Sequence, residues 1–434
     1  MPRVFIKTLG CKVNRADSDD LSARIAEAGG ECVQSAAEAD VVIVNTCTVT
    51  AEADRKVRKE LRRAASLDTV RQVIATGCAA RLHGDELEAL DSKIVVLTDL
   101  SEMLNGIFAV RSKCSSRPRP ANLCYLPAEE DLKSCTAECS ESPTPCRKLR
   151  VRVPVKIQDG CENFCSYCIV PYARGKCRSV PADEVVAKVR RLADAGTKEV
   201  VLTGINLGNY SDAGTGDLSA LLTRLKQETA LHRVRLSSIE PPQVSSELLA
   251  HLTCSTFLCE HLHIPLQSGS DRVLRDMNRQ YTSADFLKLI KKIREAAPRA
   301  AITTDIIVGY PTETEDDFAA TLAFAQEVGF AKTHVFRYSP RPGTPAAELT
   351  PLPAKVVADR ARTLQDRADM DALTYKKTLR SKNVEAIIET IDHGSNIASA
   401  TTREYLRLRL PAAGRSVGEL LTLCYDCDEE EPCW

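Results

Sequence analysis

Three short β-branched runs near the start of the chain each end in a cysteine, and this coupling of strand end to thiol constrains the fold more than any other feature. Residues 4–7 lead into Leu9-Gly10-Cys11, residues 41–44 into Asn45-Thr46-Cys47, and residues 73–75 into Thr76-Gly77-Cys78. Polar helical stretches separate the runs, which is the pattern of a parallel sheet covered by helices. Loops leaving the carboxyl ends of parallel strands gather at one edge, where ligands bind. Three cysteines far apart in sequence are therefore expected to meet in space.

The chain carries 18 cysteines in 434 residues. A disulfide framework is not the expected reading, because Met-Pro-Arg-Val-Phe-Ile-Lys shows no basic stretch followed by an apolar run. No apolar run is long enough to cross a bilayer. A cytoplasmic protein without a membrane partner is expected, and in that reducing compartment dense cysteine favours metal or redox chemistry. The formal charge of -1 gives no global attraction for a polyanion, so nucleic acid would have to be bound by local patches. Two candidates are Arg55, Lys56, Arg58, Lys59, Arg62 and Arg63, and the group Arg147, Lys148, Arg150 and Arg152. Charge runs of this kind are more often solvated helix faces.

An α/β class is expected throughout most of the chain. Residues 1–110 read as an N-terminal open parallel α/β sheet domain, and residues 111–148 as a linker rich in cysteine and proline, with Cys114, Cys124, Cys135, Cys139 and Cys146. Residues 149–375 alternate strand and helix, with strands at 153–157, 199–203, 234–238, 261–266, 302–308 and 333–338 and helices such as 182–195, 283–297 and 315–328. That spacing predicts a central incomplete (β/α)6 TIM-like barrel with its site at the C-terminal strand ends. A helix over 353–379 follows, and residues 376–434 switch to short strands that suggest a small C-terminal β-barrel, a form that often binds RNA.

The sharpest chemical signal is Cys161-Glu-Asn-Phe-Cys165-Ser-Tyr-Cys168, directly after the first strand of the predicted barrel. Three thiolates in one loop hold three irons of a four-iron cubane, whereas full ligation by cysteine needs four. The fourth iron is then an open site for a small chelating ligand. The competing reading is a zinc site completed by Cys177, although structural zinc usually shows two paired knuckles and the second is missing here.

The three-cysteine spacing with Tyr167 before the last cysteine resembles the radical S-adenosylmethionine superfamily. Gln158-Asp159-Gly160-Cys161, Val170-Pro171-Tyr172-Ala173-Arg174-Gly175, Leu202-Thr203-Gly204-Ile205-Asn206, Pro265-Leu266-Gln267-Ser268-Gly269-Ser270 and Thr304-Asp305-Ile306-Ile307-Val308-Gly309-Tyr310-Pro311 are similar to the methylthiotransferases within it. The likeness spans nearly the whole chain. It implies two [4Fe-4S] clusters, one on Cys161, Cys165 and Cys168 and a second on Cys11, Cys47 and Cys78, the same three that the strand-end argument selects. Buried structural thiols are the plain alternative for the latter.

The resemblance further implies that the barrel cluster binds and reductively cleaves S-adenosylmethionine. The resulting radical takes a hydrogen from the substrate, and sulfur methylated by a second S-adenosylmethionine is passed to that carbon. Cofactor contacts implied at the strand ends are Gly204, Asn206, Ser238, Glu240 and Gln267, with Tyr167 packing on the adenine and Gly309 allowing close backbone approach; loop capping is the ordinary role of such residues. Gly10-Cys11-Lys12-Val13-Asn14 is similar to the branch acting on threonylcarbamoyladenosine, where the isopentenyladenosine branch tends to have Gln-Met after the cysteine. The implied activity is methylthiolation of carbon 2 of N6-threonylcarbamoyladenosine at tRNA position 37. Its partners would be the tRNA anticodon stem-loop, a low-potential electron donor and a sulfur donor. The alternatives are isopentenyladenosine of tRNA, an aspartate of a ribosomal protein, or a non-catalytic iron-sulfur protein that binds RNA. The acidic, cysteine-bearing end from Cys424 to Trp434 and the position of Cys177 depart from the family pattern.

Overall fold

The computed structural model describes residues 1–109, 150–253 and 256–426. The predicted linker and the last cysteines, Cys427 and Cys433, lie outside them.

The first unit is a five-stranded, all-parallel sheet in the order Glu31–Cys32, Arg3–Thr8, Val41–Thr46, Gln72–Gly77 and Ile94–Val96. The three cysteine-tipped strands are neighbours at its centre. Both faces of Val41–Thr46 are buried, as its unbroken apolar run requires of a strand covered on both sides. The two edge strands have only two and three residues and no periodic signature, so the sequence pattern did not pick them out.

Six further parallel strands run in chain order: Arg152–Lys156, Glu199–Thr203, Arg233–Leu236, His261–His263, Ala301–Val308 and Lys332–Arg337. They pair as two three-stranded sheets. Isolated bridges between Val234 and Leu258 and between Ser238 and His263 connect the two. The strand expected over 261–266 stops at His263; the pairing lapses at residues 265 and 266, and Gln267, at φ +68, meets the neighbouring strand again in an isolated bridge to Ile306. Helices such as Ser283–Ala296 and Glu315–Val328 begin at Thr–Asp capping boxes. Their apolar faces bury Phe286 and Phe324, and the Phe286 ring centroid lies 6.0 Å from that of Phe324 and from that of Phe330, just beyond the second helix. Among the described residues no ladder returns from Lys332–Arg337 to Arg152–Lys156, and helix Lys12–Glu27 of the first unit packs against the latter strand.

Helix Ala354–Leu379 leads to four antiparallel strands in the order Arg407–Pro411, Ile397–Thr402, Asn383–Asp392 and Leu420–Cys424. No ladder joins the two outer strands among the described residues, so the hydrogen bonding forms an open sheet where the sequence predicted a closed barrel. A register shift between Ile388 and Thr390 bends the longest strand.

This sheet is fastened to the six-strand array by buried charge. Glu199 is fully buried and accepts hydrogen bonds from Arg152, Arg233 and Arg235, each through Nε at 2.8 Å. Arg233 and Arg235 then donate to the carbonyls of Thr401, Thr402 and Arg403. Arg152, read from the sequence as part of a phosphate-binding patch, is thus spent on Glu199 and Glu389. Glu385 adds a peripheral clasp. The hydrogen bond from His232 and the charge of Arg233 outweigh burial and hold its pKa at about 2 instead of 4.5. A depressed carboxylate gives stability above its unfolded pKa that is lost as pH falls toward the folded value. Amide protection along Asn383–Asp392 is therefore expected to hold at pH 6 and to drop between pH 4.5 and pH 2, as read by hydrogen exchange.

Candidate active site

Cys11 caps helix Lys12–Glu27, Cys47 follows strand Val41–Thr46, and Cys78 opens helix Cys78–Leu82. Two glycines make the convergence sterically feasible. Gly10 has φ +97, and a Cβ there would lie 2.7 Å from that of Cys47. Gly77 has φ +90, with the Thr46 carbonyl 2.6 Å from where a side chain would begin. Asn14 ties the loops together by donating to the carbonyls of Leu9 at 2.7 Å and Thr46 at 2.9 Å, while Thr46 Oγ1 donates to the Thr76 carbonyl at 2.6 Å. Burial pushes the Cys47 thiol up to about 11, with Cys78 and Cys11 adding to the rise. Burial raises Cys78 as well, and buried thiols such as these two give up their protons more readily to a bound cation than to water.

The second trio lies on one irregular loop. Cys168 N–H donates to the Cys165 carbonyl at 2.9 Å, and Phe164 between the first two cysteines sits at φ +45. Asn278 Nδ2 holds that strained turn through the carbonyls of Asn163 and Phe164. Burial pushes the Cys168 thiol up to about 12, with Cys165 and Cys161 contributing. Cys177 rests beside the Gly160 carbonyl, its Sγ 3.7 Å away, and acts with Cys165 to raise Cys161 beyond the effect of burial.

Each trio receives one guanidinium that sequence reasoning missed. Arg174 Nε donates to Cys78 Sγ at 3.2 Å, while its other nitrogens reach Asn14 Oδ1 at 2.6 Å, Asp159 and Asp17. Because Arg174 follows the second trio and Cys78 belongs to the first, one side chain links the two. Arg279 NH1 donates to Cys165 Sγ at 3.3 Å and pairs with Glu240. These contacts join residues 96 and 114 positions apart.

Of the cofactor contacts expected from the sequence, Asn206 and Glu240 lie against the second trio. Asn206 Nδ2 points at Cys161 Sγ, 3.8 Å away, and its Oδ1 accepts from Gln243 at 2.7 Å. Glu240 stands behind Cys165 through Arg279. Gly204 and Ser238 border a chamber of about 800 Å³, while Tyr167 packs toward Met277 and Tyr310. Gln267 is buried at the end of its strand and bridges to Ile306. Gly309 faces Val357 of the long helix, whose methyl groups fill the space a side chain would take. The chamber is also bordered by Cys11 of the first trio and by Val170, two residues beyond Cys168. Of the basic clusters, Lys56 and Arg58 pair with Glu52 and Glu86, and Arg150 with Asp19.

Residues 155–325 match the Radical SAM superfamily, and residues 3–98 match the uncharacterized protein family UPF0004. The threonylcarbamoyladenosine tRNA methylthiotransferase MtaB of Bacillus subtilis (strain 168) is 35% identical over 97% of this chain and 93% of its own length. The chain belongs to the radical S-adenosylmethionine methylthiotransferases. Another relative, the tRNA-2-methylthio-N(6)-dimethylallyladenosine synthase of Syntrophus aciditrophicus (strain SB), is 32% identical over 89% of this chain and 83% of its own. Among solved structures, the radical S-adenosylmethionine methyltransferase TsrM from Kitasatospora setae shares the fold, with a TM-score of 0.55, 19% identity and coverage of 80% of this chain and 77% of that one. As a radical S-adenosylmethionine methylthiotransferase, the protein employs a [4Fe-4S] cluster and S-adenosylmethionine. Among the described residues no helix is long and apolar enough to cross a membrane.

Proposed function

We propose that the protein methylthiolates carbon 2 of N6-threonylcarbamoyladenosine at position 37 of tRNA, consuming two molecules of S-adenosylmethionine. The observation that carries this reading is the pair of cysteine trios: Arg174, six residues beyond Cys168, donates to Cys78 of the other trio, and Cys11 and Val170 border one chamber. The substrate rests on the relative from Bacillus subtilis, similar along almost its full length. The relative that makes a dimethylallyladenosine product supports isopentenyladenosine as a second reading.

In this reading Cys161, Cys165 and Cys168 hold one cubane and Cys11, Cys47 and Cys78 a second. The donor sets fit: each is three sulfurs, none in a disulfide, at one strand edge or in one loop. When bound, the first cluster supplies the electron that cleaves S-adenosylmethionine and the second carries the transferable sulfur. The chain's own residues position the reactants. Asn206 and Gly204 border the amino-acid end of S-adenosylmethionine, Ser238, Glu240 and Gln267 the remainder, and Tyr167 and Gly309 the adenine side. Arg279 and Arg174 place fixed positive charge on one sulfur of each trio, which favours the thiolate form. The six strands act as the incomplete barrel and residues 376–434 as the RNA-facing module. The tRNA anticodon stem-loop, a low-potential electron donor and a sulfur donor complete the system in the cytoplasm.

Nucleoside mass spectrometry of a strain lacking the gene tests the assignment. Loss of 2-methylthio-threonylcarbamoyladenosine, with its unmethylthiolated precursor accumulating, is the expected result. An unchanged tRNA profile contradicts it, and a mass shift in a ribosomal protein would move the chemistry there.

A further inference from the structure

The concave face of the six-strand array is polar, where such faces are ordinarily filled by layers of branched apolar side chains. Residues two apart on a strand point to the same side. On three adjacent strands that side carries His261 and His263, Thr303 and Asp305, and Lys332 and His334, all bordering the chamber of about 800 Å³. Open space of that size with a few converging polar groups has the form of a ligand pocket.

Its charge is uneven. Three cations reach it from three separate parts of the chain: Lys12 beside Cys11, Lys332 at the start of the last parallel strand, and Arg407 in the C-terminal sheet. Among the described residues, the one carboxylate on the chamber wall is Asp305, which already sits 3.2 Å from His263 Nε2. Lys12 Nζ stands 5.6 Å from the centre of the Tyr405 ring, and the ring carries Arg152 and Arg235 as well. Burial and the neighbouring Arg407 push the Lys332 ammonium down, against the pull of Tyr405. Like charges gathered at a cavity call for an anion.

We propose that Lys12, Lys332 and Arg407 form a carboxylate subsite that receives the amino-acid carboxylate carried on N6 of the modified adenosine, selecting that substrate over one with an apolar prenyl group. The inference rests on the threonylcarbamoyladenosine reading above. The threonylcarbamoyl arm ends in a carboxylate, which three cations bind through charge-assisted hydrogen bonds. A hydrocarbon arm would strip water from the same cations and return nothing. Lys12 adjoins Cys11, so a nucleoside whose arm reaches the cations presents its base to the part of the chamber bordered by Cys11 and Gly204.

The test uses the holoenzyme and anticodon stem-loops bearing threonylcarbamoyladenosine, its neutral methylamide or dimethylallyladenosine. For the wild type, neutralising the carboxylate is expected to lower kcat/KM about 100-fold, and the Kd of the stem-loop to weaken in parallel. In Lys332→Met and in Arg407→Gln the acid-to-amide ratio is expected to fall toward unity. A ratio is insensitive to a partly misfolded fraction, and two variants guard against loss of either one. An acid-to-amide ratio near unity in the wild type, or one that the variants leave unchanged, overturns the subsite while leaving the substrate reading intact. Turnover of the dimethylallyl loop alone overturns both.

Discussion

Replacing Cys165 with alanine is expected to abolish cleavage of S-adenosylmethionine and all product, whereas Cys78→Ala is expected to retain 5′-deoxyadenosine formation and lose only the methylthio product. The split follows from the two trios belonging to different parts of the fold. Cys165 lies in the loop after strand Arg152–Lys156, in the trio that Asn206 reaches at Cys161 and Glu240 reaches through Arg279, so its loss would remove a proposed cluster ligand among the proposed cofactor contacts. Arg174 links Cys78 to that region, and its remaining bonds to Asp159, Asp17 and Asn14 hold it in place without the sulfur. Liquid chromatography of deoxyadenosine and of the methylthiolated nucleoside from the same reaction reads both outcomes. Identical loss of both products in the two variants would contradict separate roles. Arg174→Lys gives a graded check, since an ammonium cannot span acceptors that the planar fork reaches together.

Glu199→Ala is expected to cost about 3–5 kcal/mol, the range for stranding buried charges by removing their partner. Three guanidiniums converge on this one carboxylate, and Arg233 and Arg235 are themselves fully buried. Their attraction holds the Glu199 carboxyl well below the usual carboxylate range although burial opposes it. Without it, they would repel one another at the joint with the C-terminal sheet. That sheet carries Tyr405 and Arg407 to the chamber wall, so the damage should reach the site. Faster proteolysis after helix Ala354–Leu379, with the N-terminal sheet still protected, is the expected pattern. Uniform protection across the chain would show that the joint is not held by charge.

The six cysteines proposed as cluster ligands stand out in the sequence because their signal is local: three follow β-branched strand ends, and three share one loop at fixed spacing. The parallel architecture was legible for the same reason, since strand and helix periods alternate without long interruption. Arg174 and Arg279 were not, because an arginine at a helix end or in a loop reads as solvated charge until the fold brings it to a sulfur. Arg152 shows the converse error: it stands in a basic run, yet Glu199, far along the chain, takes it out of solvent. Closure of the C-terminal strands into a barrel was not legible, for a different reason. Alternation and turn residues define strands but carry no information about whether the first and last of them pair. The inward face of the parallel array was only partly open to reading: His261 and His263 flank an apolar Leu262, but Thr304 between Thr303 and Asp305 blurs the two-residue period on the next strand.

Iron and acid-labile sulfide content of the anaerobically reconstituted full-length protein, measured on the sample that is assayed for methylthio product, tests the two-cluster account most directly. The account predicts about eight irons per chain, falling by half in Cys78→Ala and in Cys165→Ala. Zinc in place of iron, or full product formation from a protein with about four irons, would contradict it.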